Sequence, residues 1–167
     1  MTDVHSRETR SYNMSRIRDK NTKPELLVRK YLFSNGFRFR VNVKELPGKP
    51  DIVLPKYKTV IFIHGCFWHG HEGCKYFVIP KTRTEWWIEK IRKNTEHDQK
   101  VHTDLKVLGW NIMTIWECQL KPQKRQQTLE NIVALLEKLW LDNHKKQYIP
   151  DQTIYLAAEP ENPYEED

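Results

Sequence analysis

The sequence predicts a layered α/β domain, a mixed β-sheet flanked by helices. Three observations carry that prediction. The patterns run helix, strand, strand, strand, helix, strand, helix along the chain. A short apolar run at residues 60–63 has the continuous hydrophobicity of a central strand, and residues 110–116 read as a second apolar strand. With 38% apolar and 30% charged residues, the 167-residue chain has the composition of a soluble globular protein and the length of one domain.

Residues 1–20 are polar and mixed in charge, and form an N-terminal helix or an arm that orders on a partner. Met14 and Ile17 share one helical face there, and Arg7, Arg10, Arg16 and Arg18 suit phosphates. Thr22, Pro24 and Glu25 mark a helix start with a capping box. That helix carries Leu26, Leu27, Val28, Tyr31 and Leu32 and stops at Gly36. Residues 37–43 alternate apolar and polar, which predicts a half-buried strand. A turn at 46–50 leads to a short strand at 51–54 and, after a second turn, to a central strand at 59–63. Residues 65–81 form a loop. Thr82 with Glu85 opens a long helix to about Leu108, ended by Gly109. A strand at 110–116 follows, then a helix near 126–141 with Ile132, Leu135, Leu136, Leu139 and Trp140 on its core face. The single domain core thus spans 21–145, and 146–167 is an acidic, loosely ordered tail.

Charge is distributed unevenly. Residues 1–150 hold all 28 Lys and Arg against 16 acids, a net +12, whereas the last 17 residues hold six acids and no base, a net −6. A basic body favours a polyanionic partner, most often nucleic acid; a surface tuned for solubility is the plainer alternative. There is no apolar run near the ~20 residues a bilayer span needs, and the N-terminus has no hydrophobic signal region, so a cytoplasmic location is expected. Three cysteines in a reducing compartment favour metal ligation over a disulfide framework.

Residues 59–74, TVIFIHGCFWHGHEGC, concentrate the chemistry. Cys66, His71 and Cys74, joined by the distant Cys118, have the make-up of a closed Cys₃His zinc site; three buried free thiols is the alternative. His64 and His69 suit proton movement near neutral pH. Against that, His64 fits a strand-end histidine and His69 a further metal ligand. Asp51, at a strand start, suits Mg²⁺, or else caps a turn. Phe67 and Trp68 fit either a core under the loop or wedges that unstack a DNA step. Trp86 and Trp87 cannot share one helical face, so one is expected inside and the other outside.

The runs TRSYNMSRIRDKNTKPE, LPGKPDIV, VIFIHGCFWHGHEGC, TRTEWWIEKIRKN and WECQL resemble the very-short-patch repair (Vsr) endonucleases over most of residues 1–120. Those bacterial enzymes nick DNA at T:G mismatches left by deamination of 5-methylcytosine. The resemblance implies a restriction-endonuclease-like fold with an inserted zinc loop. It implies that Asp51 holds Mg²⁺ with the Ile63 carbonyl, and that Glu25 acts in a second, water-mediated metal environment. It implies His69 as general base, His64 as its partner at the phosphate and Asp98 as the group orienting His69. Cys66, His71, Cys74 and Cys118 become structural zinc ligands. Phe67, Trp68 and Trp87 become aromatics entering from the major groove, with Met14 and Ile17 approaching from the minor groove. The usual Glu/Asp-x-Lys of restriction enzymes is absent: Phe62-Ile63-His64 stands there, so histidine replaces the lysine. The expected partner is duplex DNA with a T:G mismatch, bound by a monomer and followed by further repair proteins. A restriction-type enzyme cutting matched sites, a non-catalytic zinc-stabilised DNA-binding module, and an enzyme hydrolysing with zinc itself are the rival readings.

Overall fold

The computed structural model describes residues 6–16 and 20–145. Ile17 and the acidic segment 146–167 therefore lie outside the described residues. The elements run α1 (Arg7–Ser15), α2 (Lys23–Ser34), β1 (Ile52–Leu54), β2 (Thr59–His64), α3 (Thr84–Val107), β3 (Asn111–Trp116) and α4 (Pro122–Lys145). Short 3-10 turns follow β1 and β3. Among the described residues, no helix is long and apolar enough to cross a membrane. Met14 falls on α1.

The sheet is three-stranded and mixed, in the order β1-β2-β3, with β2 central as its unbroken apolar run required. β1 pairs with β2 antiparallel, and β2 pairs with β3 parallel, from Thr59 opposite Asn111 to His64 opposite Trp116. A parallel pair needs a long crossover, which α3 supplies. Side chains alternate across the sheet. Ile52, Leu54, Ile61 and Ile115 face Val28 and Leu32 of α2 and Leu129, Ile132 and Leu136 of α4. Val53, Val60 and Phe62 face Val101 and Leu105 of α3 on the other side. The result is helix, sheet, helix.

The local signals of α2 hold at both ends. Thr22 caps its start and the reciprocal capping box with Glu25 is formed. At its end Gly36 takes φ +83°, and the N–H groups of Gly36 and Phe37 donate to the carbonyls of Phe33 and Leu32, a Schellman closure. Phe37 then drops into the core, 4% exposed.

Three boundaries differ from expectation. Residues 37–43 are not a strand. Only Arg40 pairs, exchanging both main-chain bonds with Val53 at 2.8 Å. Asn42 turns to φ +53°, which breaks the extended run whatever its side-chain alternation. The long helix begins at Thr84, not Thr82. Arg83 occupies the N-cap position in the left-handed region, so Glu85 sits one place too early to close a capping box. α4 begins at Pro122, where proline suits a first turn, rather than near 126.

Candidate active site and metal centre

The parallel register explains how distant residues meet. His64 and Trp116 are partners at the ends of β2 and β3, so the chain two residues beyond each strand reaches Cys66 and Cys118 side by side. After β3 the Trp116 N–H donates to Gln119 Oε1 at 2.8 Å, turning the chain so that Cys118 points back. On the loop, the His71 N–H donates to the Cys66 carbonyl at 2.9 Å and the Cys74 N–H to the His71 carbonyl at 3.2 Å. One donor atom each from Cys66, His71, Cys74 and Cys118 gathers within 4.8 Å of the others. His71 Nδ1 stands 3.5 Å from Cys118 Sγ, and its ring stacks on Trp116 at 4.0 Å.

Three thiols and an imidazole this close suit a tetrahedral metal ion. Burial pushes the Cys66 thiol up to about 12, a cost that a bound cation would remove. Cys74 is held below its ordinary value, chiefly by the Tyr76 main-chain N–H. All three cysteines are free thiols, not disulfides.

A second cluster shares Trp116 as a neighbour, whose ring lies 4.0 Å from His71 and 5.5 Å from His64. His64 ends β2 on the same face as Val60 and Phe62. On α3 the face that supplies Val101 and Leu105 to the core also carries Asp98 and His102, at the spacings that share one helical face. The loop is pinned to that helix. Asn94 Nδ2 donates to the Trp68 carbonyl at 2.9 Å, and Gly70, at φ +63°, lies so near Ile91 that an added Cβ would stand 3.0 Å from its Cγ2. Held on both sides, His69 places Nδ1 2.6 Å from Asp98 Oδ2 and its ring 3.8 Å from His64, nearly parallel at 10°.

His64, His69 and Asp98 also have ligand atoms within 4.8 Å. Their geometry suits proton transfer better than a metal cage. Imidazole lone pairs lie in the ring plane, so two rings stacked face to face aim them side by side and not at a common point. Burial holds His64 down at about 4, with the charge of His69 acting in the same direction, so it is neutral at pH 7. Burial alone would raise Asp98. The hydrogen bond and charge of His69, with His64 and His97, outweigh it and keep Asp98 below its ordinary value. An ionised carboxylate only accepts, so Nδ1 of His69 is the donor and Nε2 is left to take a proton.

Asp51 sits just before β1, and its Oδ2 accepts the Ile63 N–H at 2.7 Å. It lines an open cleft of about 1040 Å³ together with His64, His69 and Asp98. Burial pushes its carboxyl up to about 6, with the charge of Glu25 adding to the rise and the Ile63 N–H opposing it. Lys20, Lys23, Lys44 and Lys49 line the same cleft. Glu25 is 4% exposed and accepts from the main chain of Asn21 and Thr22, the Thr22 hydroxyl and Arg29. Its four acceptor positions are thus all engaged by the protein.

Phe67, Trp68 and Trp87 form one edge-to-face cluster, with Phe67 5.2 Å from each tryptophan and the two tryptophans 5.9 Å apart. All three are half-buried. Trp86, 51% exposed, turns outward as the helical spacing required. Asn94 and Arg29 were not singled out from the sequence. Asn94 closes the run TRTEWWIEKIRKN, which could have drawn attention to it; Arg29 carries no such signal.

A base, an ionised partner and a row of lysines in one open cleft suit phosphodiester hydrolysis, and comparison with known proteins agrees: the chain is a hydrolytic DNA endonuclease. The family model for DNA mismatch endonuclease Vsr matches residues 2–75. DNA mismatch endonuclease Vsr of Escherichia coli is 42% identical over 158 residues, 95% of this chain and 100% of that protein. Type II nicking enzyme V.NmeAIP of Neisseria meningitidis is 55% identical over 121 residues, 72% of this chain and 86% of that protein. Type II nicking enzyme V.XorIIP of Xanthomonas oryzae pv. oryzae is 48% identical over 120 residues, 72% of this chain and 88% of that protein. The chain belongs to the DNA mismatch endonuclease Vsr family.

Proposed function

We propose that this protein nicks duplex DNA on the 5′ side of the T in T:G mismatches that arise from 5-methylcytosine, with Mg²⁺ as catalytic ion, zinc as structural ion and a restriction-endonuclease-like fold. The observation that carries the chemistry is the 2.6 Å bond between His69 and Asp98 in the cleft that holds Asp51. Asp51 and the Ile63 carbonyl would hold Mg²⁺, which when bound stabilises charge on the scissile phosphate and the leaving oxygen. The Asp51–Ile63 contact supports this, since it brings a carboxylate and a strand-end carbonyl to one place.

His69 takes the proton of the attacking water at Nε2, while Asp98 holds its Nδ1–H and stabilises the imidazolium that forms. Neutral His64, stacked on His69, faces the phosphate without adding a charge beside the base. Glu25 acts from behind through its charge, which borders Asp51, while its oxygens stay on their protein donors. Cys66, His71, Cys74 and Cys118 hold the zinc, and their loop carries Phe67 and Trp68 between the ligands. Those rings, with Trp87, enter from the major groove, and the segment with Met14 and Ile17 lies on the minor-groove side. A mispaired step costs less to unstack than a paired one. The protein acts as a monomer in the bacterial cytoplasm and hands nicked DNA to other repair proteins.

The test uses duplexes that differ only in T:G against C:G, labelled on the T strand, with Mg²⁺ or EDTA. Mismatch-selective nicking that needs Mg²⁺ and is lost in Asp51→Ala and His69→Ala is the expected result. Equal cutting of both duplexes would replace this reading with a restriction-type enzyme. Tight T:G binding without a nick would replace it with a binding module.

A further inference from the structure

Behind Asp51 lies a buried polar group that the proposed reaction does not use. Arg29, on α2, is 9% exposed. Its Nη1 donates to Asn21 Oδ1 at 2.7 Å. Its Nη2 donates to Glu25 Oε2 at 2.9 Å and to the main-chain carbonyl of Asp51 at 3.0 Å. The third bond crosses 22 residues to the backbone of the residue whose side chain faces the cleft. From there the path continues, because Asp51 Oδ2 accepts the Ile63 N–H of β2. One guanidinium thus ties the entry to α2, the entry to β1 and the end of β2.

Asn21 is the first of these anchors and the least ordinary. It adopts φ +55°, in the left-handed region, and the chain before it is the N-terminal segment. Its N–H donates to Glu25 Oε2 at 2.9 Å while its side chain receives Arg29. A buried ion pair contributes little net stability compared with apolar packing. Arg29 also leaves its own buried Nε without a partner, which is a cost. The fork geometry of a guanidinium suits bridging several acceptors in fixed directions, which an ammonium cannot do.

We infer that Arg29 is a positioning residue that fixes the backbone of Asp51 to the junction at Asn21, so that the metal-holding carboxylate is correctly set only when that junction is in place. The inference rests on Asp51 holding the catalytic ion. It makes the N-terminal segment and the metal site one coupled unit: displacement at Asn21 is passed through Arg29 to Asp51, and occupancy at Asp51 steadies Asn21 in return.

Mn²⁺ serves as the probe ion, its binding to full-length protein followed by loss of the free-ion electron paramagnetic resonance signal. Nicking is measured alongside under single turnover against Mg²⁺ concentration. Arg29→Lys keeps the charge and the Glu25 pair but loses the fork; Asn21→Gly keeps the left-handed turn but loses the side-chain acceptor. The Mn²⁺ dissociation constant and the half-saturating Mg²⁺ concentration are both expected to rise about tenfold in Arg29→Lys, the scale seen when a group supporting a metal ligand is lost. Asn21→Gly is expected to raise both by about threefold. The nicking rate at saturating Mg²⁺ and duplex binding in EDTA stay near wild type. Unchanged Mn²⁺ affinity in a folded Arg29→Lys protein would overturn the inference. So would a loss of rate that saturating Mg²⁺ does not restore, since that is what a merely structural role gives. If Asp51→Ala leaves wild-type Mn²⁺ binding intact, the metal reading itself falls and takes the inference with it.

Discussion

Asp51 and His64 pull the pH dependence of stability in opposite directions. Asp51 gives up its proton near 6 in the folded chain and near 3.8 in the unfolded one. The folded state therefore holds the extra proton between those values, and stability falls as pH rises through that window and stays lower above it. His64, held at about 4 against an ordinary 6.5, does the reverse: its contribution is present above 6.5 and is lost as pH falls towards 4. Asp51→Asn removes the first effect and keeps an oxygen to accept the Ile63 N–H. The metal-free variant should melt higher than wild type at pH 7.5, and the gap should close by pH 4. Thermal melts in EDTA at the two pH values measure this, and an equal gap at both would contradict the burial account. Asp51, His64 and His69 were legible because their types are few and their spacing on a strand and loop is distinctive. Arg29 was not, because one arginine among 28 basic residues looks like surface charge until its burial is known.

At the scale of elements, the 65–74 loop is held by its sulfur and imidazole donors, by Asn94 and by the close approach of Gly70 to Ile91. It buries little apolar surface: Cys66 is its one buried residue. Removing a bound ion should therefore release the loop while the two cores persist. Chelation, or Cys118→Ser, is expected to lower nicking by at least about tenfold, the scale of losing a supporting ligand. Far-UV circular dichroism should stay close to the untreated protein. One equivalent of zinc freed per chain, with all three thiols becoming reactive, is the accompanying readout; global unfolding on chelation would show instead that the ion holds the whole fold. The α2 cap and the apolar β2 run could be read directly because each is a local signal. The alternation at 37–43 misled because a single left-handed residue, Asn42, outweighs side-chain pattern. The start of α3 lies at Thr84 and not at Thr82 because the left-handed backbone at Arg83 sets the first turn.

Across the whole molecule, the aromatic cluster of Phe67, Trp68 and Trp87 is half-buried and joined by edge-to-face contacts, with Trp68 lining the cleft. Such contacts contribute about 0.5–1.5 kcal/mol per pair beyond area burial, too little to make these rings a core on their own. Phe67→Ala/Trp68→Ala should keep the fold and lose most of the preference for T:G over C:G duplexes, a change of about 1–3 kcal/mol per lost base-stacking ring. Competition binding in EDTA, with melts as control, measures it; collapse of the fold would make the rings structural. The lysines of the cleft act differently. Replacing one of them with a neutral residue should lower the salt dependence of binding without altering preference among sequences.

The parallel pairing of β2 with β3 also has a kinetic meaning. Thr59 meets Asn111 only after the whole crossover has been made, and closing so long a loop is slow compared with forming a helix or a hairpin. His64 and His69 leave the ribosome well before Asp98, and the thiol of Cys118 comes later still. A growing chain that can already fold α2 thus has neither an oriented base nor a complete set of sulfur donors. The proposed base and the full donor set come together only in one late step, once α3 and β3 have docked on β2.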